Sequence, residues 1–204
     1  MVADSQRRGV FSQIGGHPVL DLINTVQWRL SDKRRHDDLL DYQDVLRWSL
    51  QLGLLTDDEA SRLESTDLAP LTADEEVTRL RALRDAVYST LYEGAGSGVL
   101  VREYRDAIAR SDFVRHDGHW GWDHPLDASL PRRRIALAAM DLLARADLVQ
   151  LSQCQDAECG WVFLDSSSRH NRRWCVSADC GNRNRAREHY ARSRSVNRAA
   201  SAPK

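Results

Sequence analysis

The sequence predicts a mainly α protein in two unequal parts: a multihelical body bearing one small β-hairpin, and a short C-terminal module folded around four cysteines. Three observations carry this reading. Apolar residues recur at helical spacing through most of residues 1–149. Helix-start signals and glycine or proline breaks separate those stretches. All four cysteines then fall between Cys154 and Cys180.

Gly15-Gly16-His17-Pro18 is a turn and helix-start signal, and Leu20, Ile23, Val26 and Leu30 follow at helical spacing, which predicts a buried helix over 19–30. A second helix is expected over 37–52, marked by Leu39, Leu40, Val45, Leu46, Trp48 and Leu52 and stopped by Gly53. Thr56 with Glu59 forms a capping-box start for a short third helix. Pro70 breaks the chain, and a longer helix is expected from Thr72, with Val77, Leu80, Leu83, Val87 and Leu91 as its stripe, ending near Gly94. The run from Gly94 to Gly98 is a flexible break, and 99–111 reads as another helix. Phe113 to Pro125, with Asp117-Gly118 at the turn and Trp120 and Trp122 alternating, predicts a β-hairpin. Packing under this hairpin is the expected place for both tryptophans. Pro131 opens a helix over 132–148, faced by Ile135, Ala138, Ala139, Leu142 and Ala146.

Charge divides the chain at the same place as composition does. Residues 1–150 hold 19 Lys and Arg against 25 Asp and Glu, a balance of −6; residues 151–204 hold 10 against 5, a balance of +5. A basic end on an acidic body suggests that the C-terminal part meets a polyanion. The N-terminus lacks the apolar stretch of a secretory signal, and no apolar run approaches the roughly 20 residues of a membrane span. A cytoplasmic protein without membrane contact is expected, and there cysteines are better explained by metal than by disulfides. The domains expected are a helical body (1–149), a cysteine module (150–195) and a basic flexible tail (196–204).

The cysteines stand as C-x4-C, fifteen intervening residues, and C-x4-C. Zinc in a structural site takes four protein ligands at tetrahedral corners, and two short-range pairs supply them naturally. Cys154, Cys159, Cys175 and Cys180 are therefore the predicted Zn2+ ligands. Chance burial would not space two pairs equally, a redox role usually shows C-x2-C, and His170 or His189 is not needed to complete the shell. Between the pairs, 161–164 and 172–174 read as two strands joined by 165–171, and 182–194 reads as a helix. Knuckle, hairpin, knuckle and helix make a treble-clef-like four-cysteine zinc finger. Metal would supply most of its folding free energy, on the order of 10 kcal/mol or more.

On that helix Arg183, Arg187, Tyr190 and Arg194 fall within roughly 60° of one another, with Arg185, His189 and Arg192 opposite. Arginine suits phosphates and guanine edges because its planar fork bonds bidentately. Arg172, Arg173, Arg183, Arg185, Arg187, Tyr190 and Arg194 are the candidate nucleic-acid contacts. Two other readings stay open: docking of these arginines on the acidic body, or a solvated basic tail.

From Cys180-Gly181-Asn182-Arg183 the chain resembles the CGNR-type zinc-finger proteins, with CGWVFLD at 159–165, RRWC at 172–175 and CGNRNRAREHYARSR at 180–194. GGHPVLDLINTVQWR at 15–29 resembles the opening of the companion domain called ABATE. The resemblance implies a bacterial, stress-linked transcription regulator whose finger is proposed to bind DNA. Asn184 and Glu188 depart from the small or basic residues expected there. Double-stranded DNA is thus the expected partner, with a small-molecule effector or a second copy of the chain as partners for the body. The alternative is a zinc-stabilised protein-interaction or structural module. RNA binding would call for exposed aromatics on a sheet, which the sequence does not make evident. Catalysis is not expected, because four thiolates leave zinc no open position. The one polar neighbourhood suited to a ligand pocket is Asp21, Asn24 and Arg29, beside His17; more often Asp21 and Asn24 would satisfy backbone groups around a helix entry.

Overall fold

The computed structural model describes residues 10–66, 70–95 and 97–200. Its centre is a single buried turn and a half, α1 (Pro18–Ile23), packed against α4, α6 and β6. His17 caps it, Nδ1 accepting from the Val19 amide at 3.3 Å, and Val19, Leu20, Leu22 and Ile23 are all buried.

The helix predicted over 19–30 ends at Ile23, because the residues that follow have better partners. Thr25 Oγ1 donates to the Leu22 carbonyl at 2.7 Å and Arg29 Nη2 to the Ile23 carbonyl at 2.8 Å, which satisfies the buried carbonyls at the end of the helix. Asn24 turns its amide onto a strand 138 residues away. The chain then runs out through β1 (Val26–Gln27) and back through β2 (His36–Asp37), paired Val26 to Asp37. The buried Arg84 guanidinium anchors this excursion, donating to Thr25 Oγ1 at 3.0 Å and to both Asp37 oxygens at 2.8 and 2.7 Å. The second helix is shortened accordingly, to α2 (Tyr42–Gln51), and starts where Asp41 accepts from the Asp44 amide.

The remaining helices follow their signals closely. α3 (Asp57–Ser65) carries both halves of the Thr56–Glu59 capping box. α4 (Pro70–Tyr92) starts two residues before Thr72, with Pro70 in the first turn, where its missing N–H costs nothing. α5 is Gly98–Ala109; Gly96, in the break before it, lies outside the described residues. α6 (Leu130–Ala144) has Pro131 near its start, and the rest of the predicted helix is the 3₁₀ turn Ala146–Gln150. Val77, Leu80, Leu83 and Val87 of α4 and Ile135, Ala136, Ala139 and Leu142 of α6 make the core with α1. One buried ion cluster ties three helices: Arg132 of α6 donates to Glu76 of α4 and to Glu103 of α5.

The hairpin is present as β3 (Asp112–His116) and β4 (His119–Asp123), registered Phe113 to Trp122 and Arg115 to Trp120. Its tryptophans are not packed beneath it. Trp120 is 65% and Trp122 40% exposed; Trp120 stacks on Phe113 and Trp122 packs tilted against it, Phe113 itself being 53% exposed.

In the C-terminal module β6 (Val162–Leu164) pairs antiparallel with β5 (Leu151–Gln153), and not with 172–174 as expected. The reason lies in alternation along β6. Val162 and Leu164 enter the core of the body, whereas Phe163 faces the cysteines. β6 is therefore an edge of the body first, and β5, arriving directly from α6, takes the adjacent place. A π turn, Ser177–Gly181, leads into α7 (Asn182–Ala200), which runs through most of the predicted tail; residues 201–204 lie outside the described ones. Among the described residues no helix is long and apolar enough to cross a membrane.

Candidate metal centre

The ladder of β5 and β6 continues one step, the Cys154 amide donating to the Trp161 carbonyl at 2.8 Å, so the first knuckle is a turn closed by a hairpin. The second knuckle is the π turn that opens α7. Two glycines permit these turns for different reasons. Gly160 has φ 72°, and a Cβ there would lie 2.8 Å from Leu30 Cγ. Gly181 keeps an ordinary φ, but a Cβ would meet the Trp174 ring at 3.0 Å.

Cys154, Cys159, Cys175 and Cys180 are all buried, and their Sγ atoms lie within 4.8 Å of one another. Cys159 and Cys175 sulfurs are 3.7 Å apart, and those of Cys175 and Cys180 are 3.4 Å apart. A tetrahedron with Zn–S bonds of about 2.3 Å has edges of about 3.8 Å. The donor set fits zinc. Burial pushes the Cys180 thiol up, so its thiolate needs nearby positive charge; Arg183 Nη2, 2.9 Å from that sulfur, adds to what the metal supplies.

Asp156, inside the first knuckle, organises the start of α7. Its carboxylate is buried, with Oδ1 accepting from the Glu158 amide at 3.0 Å. Its Oδ2 accepts from Arg183 Nε at 3.0 Å, Asn184 Nδ2 at 2.7 Å and Arg187 Nη1 at 3.3 Å. Burial opposes its ionisation, but the Glu158 amide, Arg183 and Asn184 prevail and hold its pKa below the usual carboxylate range. Glu158 adds a second anchor, accepting from Arg187 Nη2 at 3.0 Å and from Ser31 Oγ at 3.0 Å.

The body covers the centre with the loop after β1. Arg29 and Leu30 amides donate to the Cys159 and Glu158 carbonyls at 2.9 and 3.2 Å. Trp28, held at φ 51°, lies between two guanidiniums, Arg34 at 3.2 Å and Arg183 at 4.4 Å from its ring centre. Trp28, Arg183, Cys159, Cys175 and Cys180 line a cavity of about 30 Å³.

Two family descriptions match this architecture: "Putative stress-induced transcription regulator" (ABATE) over residues 16–146, and "CGNR zinc finger" over residues 150–193. The chain belongs to the ABATE family. Its C-terminal part is a CGNR zinc finger, and the four cysteines are its Zn2+ site. No curated protein matches the chain.

Within the CGNR finger the candidate arginines divide into held and outward-facing groups. Arg183 and Arg187 are spent on Asp156 and Glu158, with Arg183 also donating to Asp179 Oδ1 at 2.8 Å. Arg172 stacks on Phe163 at 3.9 Å and donates to the Trp174 and Cys175 carbonyls; Arg173 donates to Gln155 Oε1 at 2.7 Å. From Arg185 to Arg194 every residue of α7 is exposed, including Tyr190 at 70%. Arg185 is steadied by the Ser177 carbonyl and Asn182 Oδ1.

In the ABATE body, Asp21, Asn24 and Arg29 are each committed to structure. Asp21 Oδ1 accepts from the Gly15 amide at 2.8 Å, and burial pushes its pKa up to about 6 against that hydrogen bond. Asn24 donates to the Val162 carbonyl at 2.9 Å and accepts from the Val162 amide at 2.8 Å, standing in for a neighbouring strand at the edge of β6. Arg29 lies 4.4 Å over the Tyr88 ring and 3.5 Å from Asp85. Neither Asp156 nor Trp28 was singled out from sequence. The available signal was a pair of acidic residues, Asp156 and Glu158, between two ligand cysteines of an arginine-rich module.

Proposed function

We propose that the protein is a DNA-binding transcription regulator in which α7 is the reading element and the zinc centre is its mount. One observation carries this: a 19-residue basic helix is anchored at its first turns by Asp156, Glu158 and Asp179, and every residue from Arg185 to Arg194 is exposed. An exposed helix that buries no apolar stripe gains nothing from packing, which points to a partner outside the chain. At 1.5 Å per residue it extends about 28 Å, and the major groove of B-DNA admits an α-helix. In this reading Arg183 and Arg187 position the helix, whereas Arg185, Tyr190 and Arg194, with Arg172 and Arg173 on the finger surface, meet the nucleic acid. The ABATE body then supplies effector sensing or dimerisation. A shell of four thiolates makes the metal structural and not catalytic.

The alternative, a finger that is purely a structural module, is favoured by one observation, the pairing of Arg183 and Arg187 with Asp156 and Glu158. Reversing those two charges would unfold the mount under either reading. Arg185→Glu with Arg194→Glu discriminates. DNA-fluorescence anisotropy over a salt series is the assay; four arginine contacts give a slope of log K against log salt of about −3 to −4. The double variant is expected to keep its zinc and its melting temperature while losing affinity and about two units of slope. Wild-type binding without salt dependence, or a double variant that binds as wild type does, overturns the proposal.

A further inference from the structure

We propose that the aromatic face of the β3–β4 hairpin is a homodimer interface, closed by the same face of a second copy of the chain. The proposal does not depend on DNA binding, and its test uses no DNA.

Alternation along the two strands puts Phe113, Arg115, Trp120 and Trp122 on one face. The ring contacts agree, with Phe113 5.6 Å from Trp120 and 5.0 Å from Trp122. The opposite face carries Val114, which is half-buried. All four residues of the aromatic face are exposed. Three aromatics exposed by 53%, 65% and 40% leave about 240 to 400 Å² of ring surface in water, at about 150 to 250 Å² per side chain. That is the size at which an apolar patch on a monomer marks an interaction site. It is also up to about half of the roughly 800 Å² that each partner contributes to a standard interface.

A nucleic acid needs a basic groove beside its stacking rings, and of the four residues on this face only Arg115 is charged, Asp112 and Asp123 being paired on the opposite face. Register argues for a second copy. A two-fold axis lying in the interface and crossing the strands, midway between the Phe113–Trp122 and Arg115–Trp120 pairs, sets β3 antiparallel over the partner's β3. Arg115 then sits over the partner's Phe113, and Trp120 over the partner's Trp122, each contact occurring twice. A cation–π pair and a stacked indole pair are both favourable, and the patch is self-complementary, as an isologous interface requires. The modest area makes the association weak and reversible.

The test is sedimentation velocity on the zinc-loaded full chain from about 1 to 200 μM, with Trp120→Ser and Arg115→Asp beside the wild type. The expected result is a shift from 23.2 kDa toward twice that mass in the wild type, and at least about tenfold weaker association in both variants. Both substitutions are at exposed positions, and circular dichroism melts check that the fold is intact. A wild type that stays at 23.2 kDa throughout, or a dimer that survives both variants, overturns the proposal. A monomer whose tryptophan fluorescence is quenched by a single-stranded oligonucleotide, with the quenching lost in Trp120→Ser, gives the face to nucleic acid and also overturns it.

Discussion

Asp156→Ala tests the idea that the first knuckle, and not the metal alone, fixes the start of α7. Four donors converge on this carboxylate, at 2.7 to 3.3 Å. Truncation does not strand them equally. Asn184 keeps the Cys180 carbonyl, Arg183 keeps Asp179 and the Cys180 sulfur, and Arg187 keeps Glu158. The Glu158 amide loses the partner that closes its turn. Breaking a buried ion pair from one side costs about 3 to 5 kcal/mol. Because the Arg183 and Arg187 side chains are 23% and 44% exposed and retain other acceptors, about 2 to 4 kcal/mol is the better expectation.

Folding of the finger and zinc binding are one equilibrium, so this loss appears in the metal affinity. At 1.36 kcal/mol per decade the apparent zinc affinity falls about 30- to 900-fold. Competition with a chromophoric chelator on the full chain reads it, and far-ultraviolet circular dichroism reports whether α7 frays with metal loss. Asp156→Asn retains an acceptor for the Glu158 amide without the charge, and is expected to fall between wild type and Asp156→Ala. If Asp156→Ala holds zinc within threefold of wild type, the knuckle-to-helix tie has no energetic weight and the reasoning fails.

Asn24→Ala removes both hydrogen bonds to Val162 and leaves two buried backbone groups unpaired, so a loss of about 2 to 4 kcal/mol is expected in urea unfolding; an unchanged midpoint would refute it. Burial raises the Asp21 pKa to about 6, above the ordinary aspartate value of 3.8. Its ionisation therefore costs stability above pH 6, a penalty absent below pH 4. Asp21→Asn is expected to be more stable than wild type by about 1 to 3 kcal/mol at pH 7.5 and equal to it at pH 3.5, measured by thermal melts; a constant difference across that range would contradict the assignment. Trp28→Ala uncovers one side of the sulfur cluster, so chelator-driven zinc release is expected to speed up at least about tenfold, the rate rising by that factor for each 1.4 kcal/mol off the barrier. Release at the wild-type rate would show that Trp28 is no cover.

What was legible in the sequence is what short-range chemistry decides. The paired C-x4-C spacings identified the metal ligands, the Thr56–Glu59 box started α3, Pro131 opened α6, and Asp117-Gly118 turned the hairpin. The failures share a cause. Val26 continues the helical spacing of α1 and is indeed buried, but in a strand. Burial at that position was readable, whereas the geometry was settled by Asn24 and Arg29 meeting residues far along the chain. The strand at 172–174 failed likewise, since β6 takes its place from the body core and its other edge is filled by β5. Exposure of Trp120 and Trp122 was hidden because alternation is symmetric: it separates two faces without saying which one the body covers.

These misses bear on how the two parts of the chain act together. A finger attached by a flexible linker would carry its own ends of secondary structure, but here β6 places Val162 and Leu164 in the ABATE core and Phe163 among the cysteines. One three-residue strand thus belongs to both. Trp28 and Arg34 of the body also reach Arg183 and Glu158, residues that anchor the start of α7. Any change of the body that moves the loop after β1 must either break these contacts or carry the base of α7 with it, since packed cores do not deform continuously. The body is therefore physically able to bias the helix without touching whatever the helix binds.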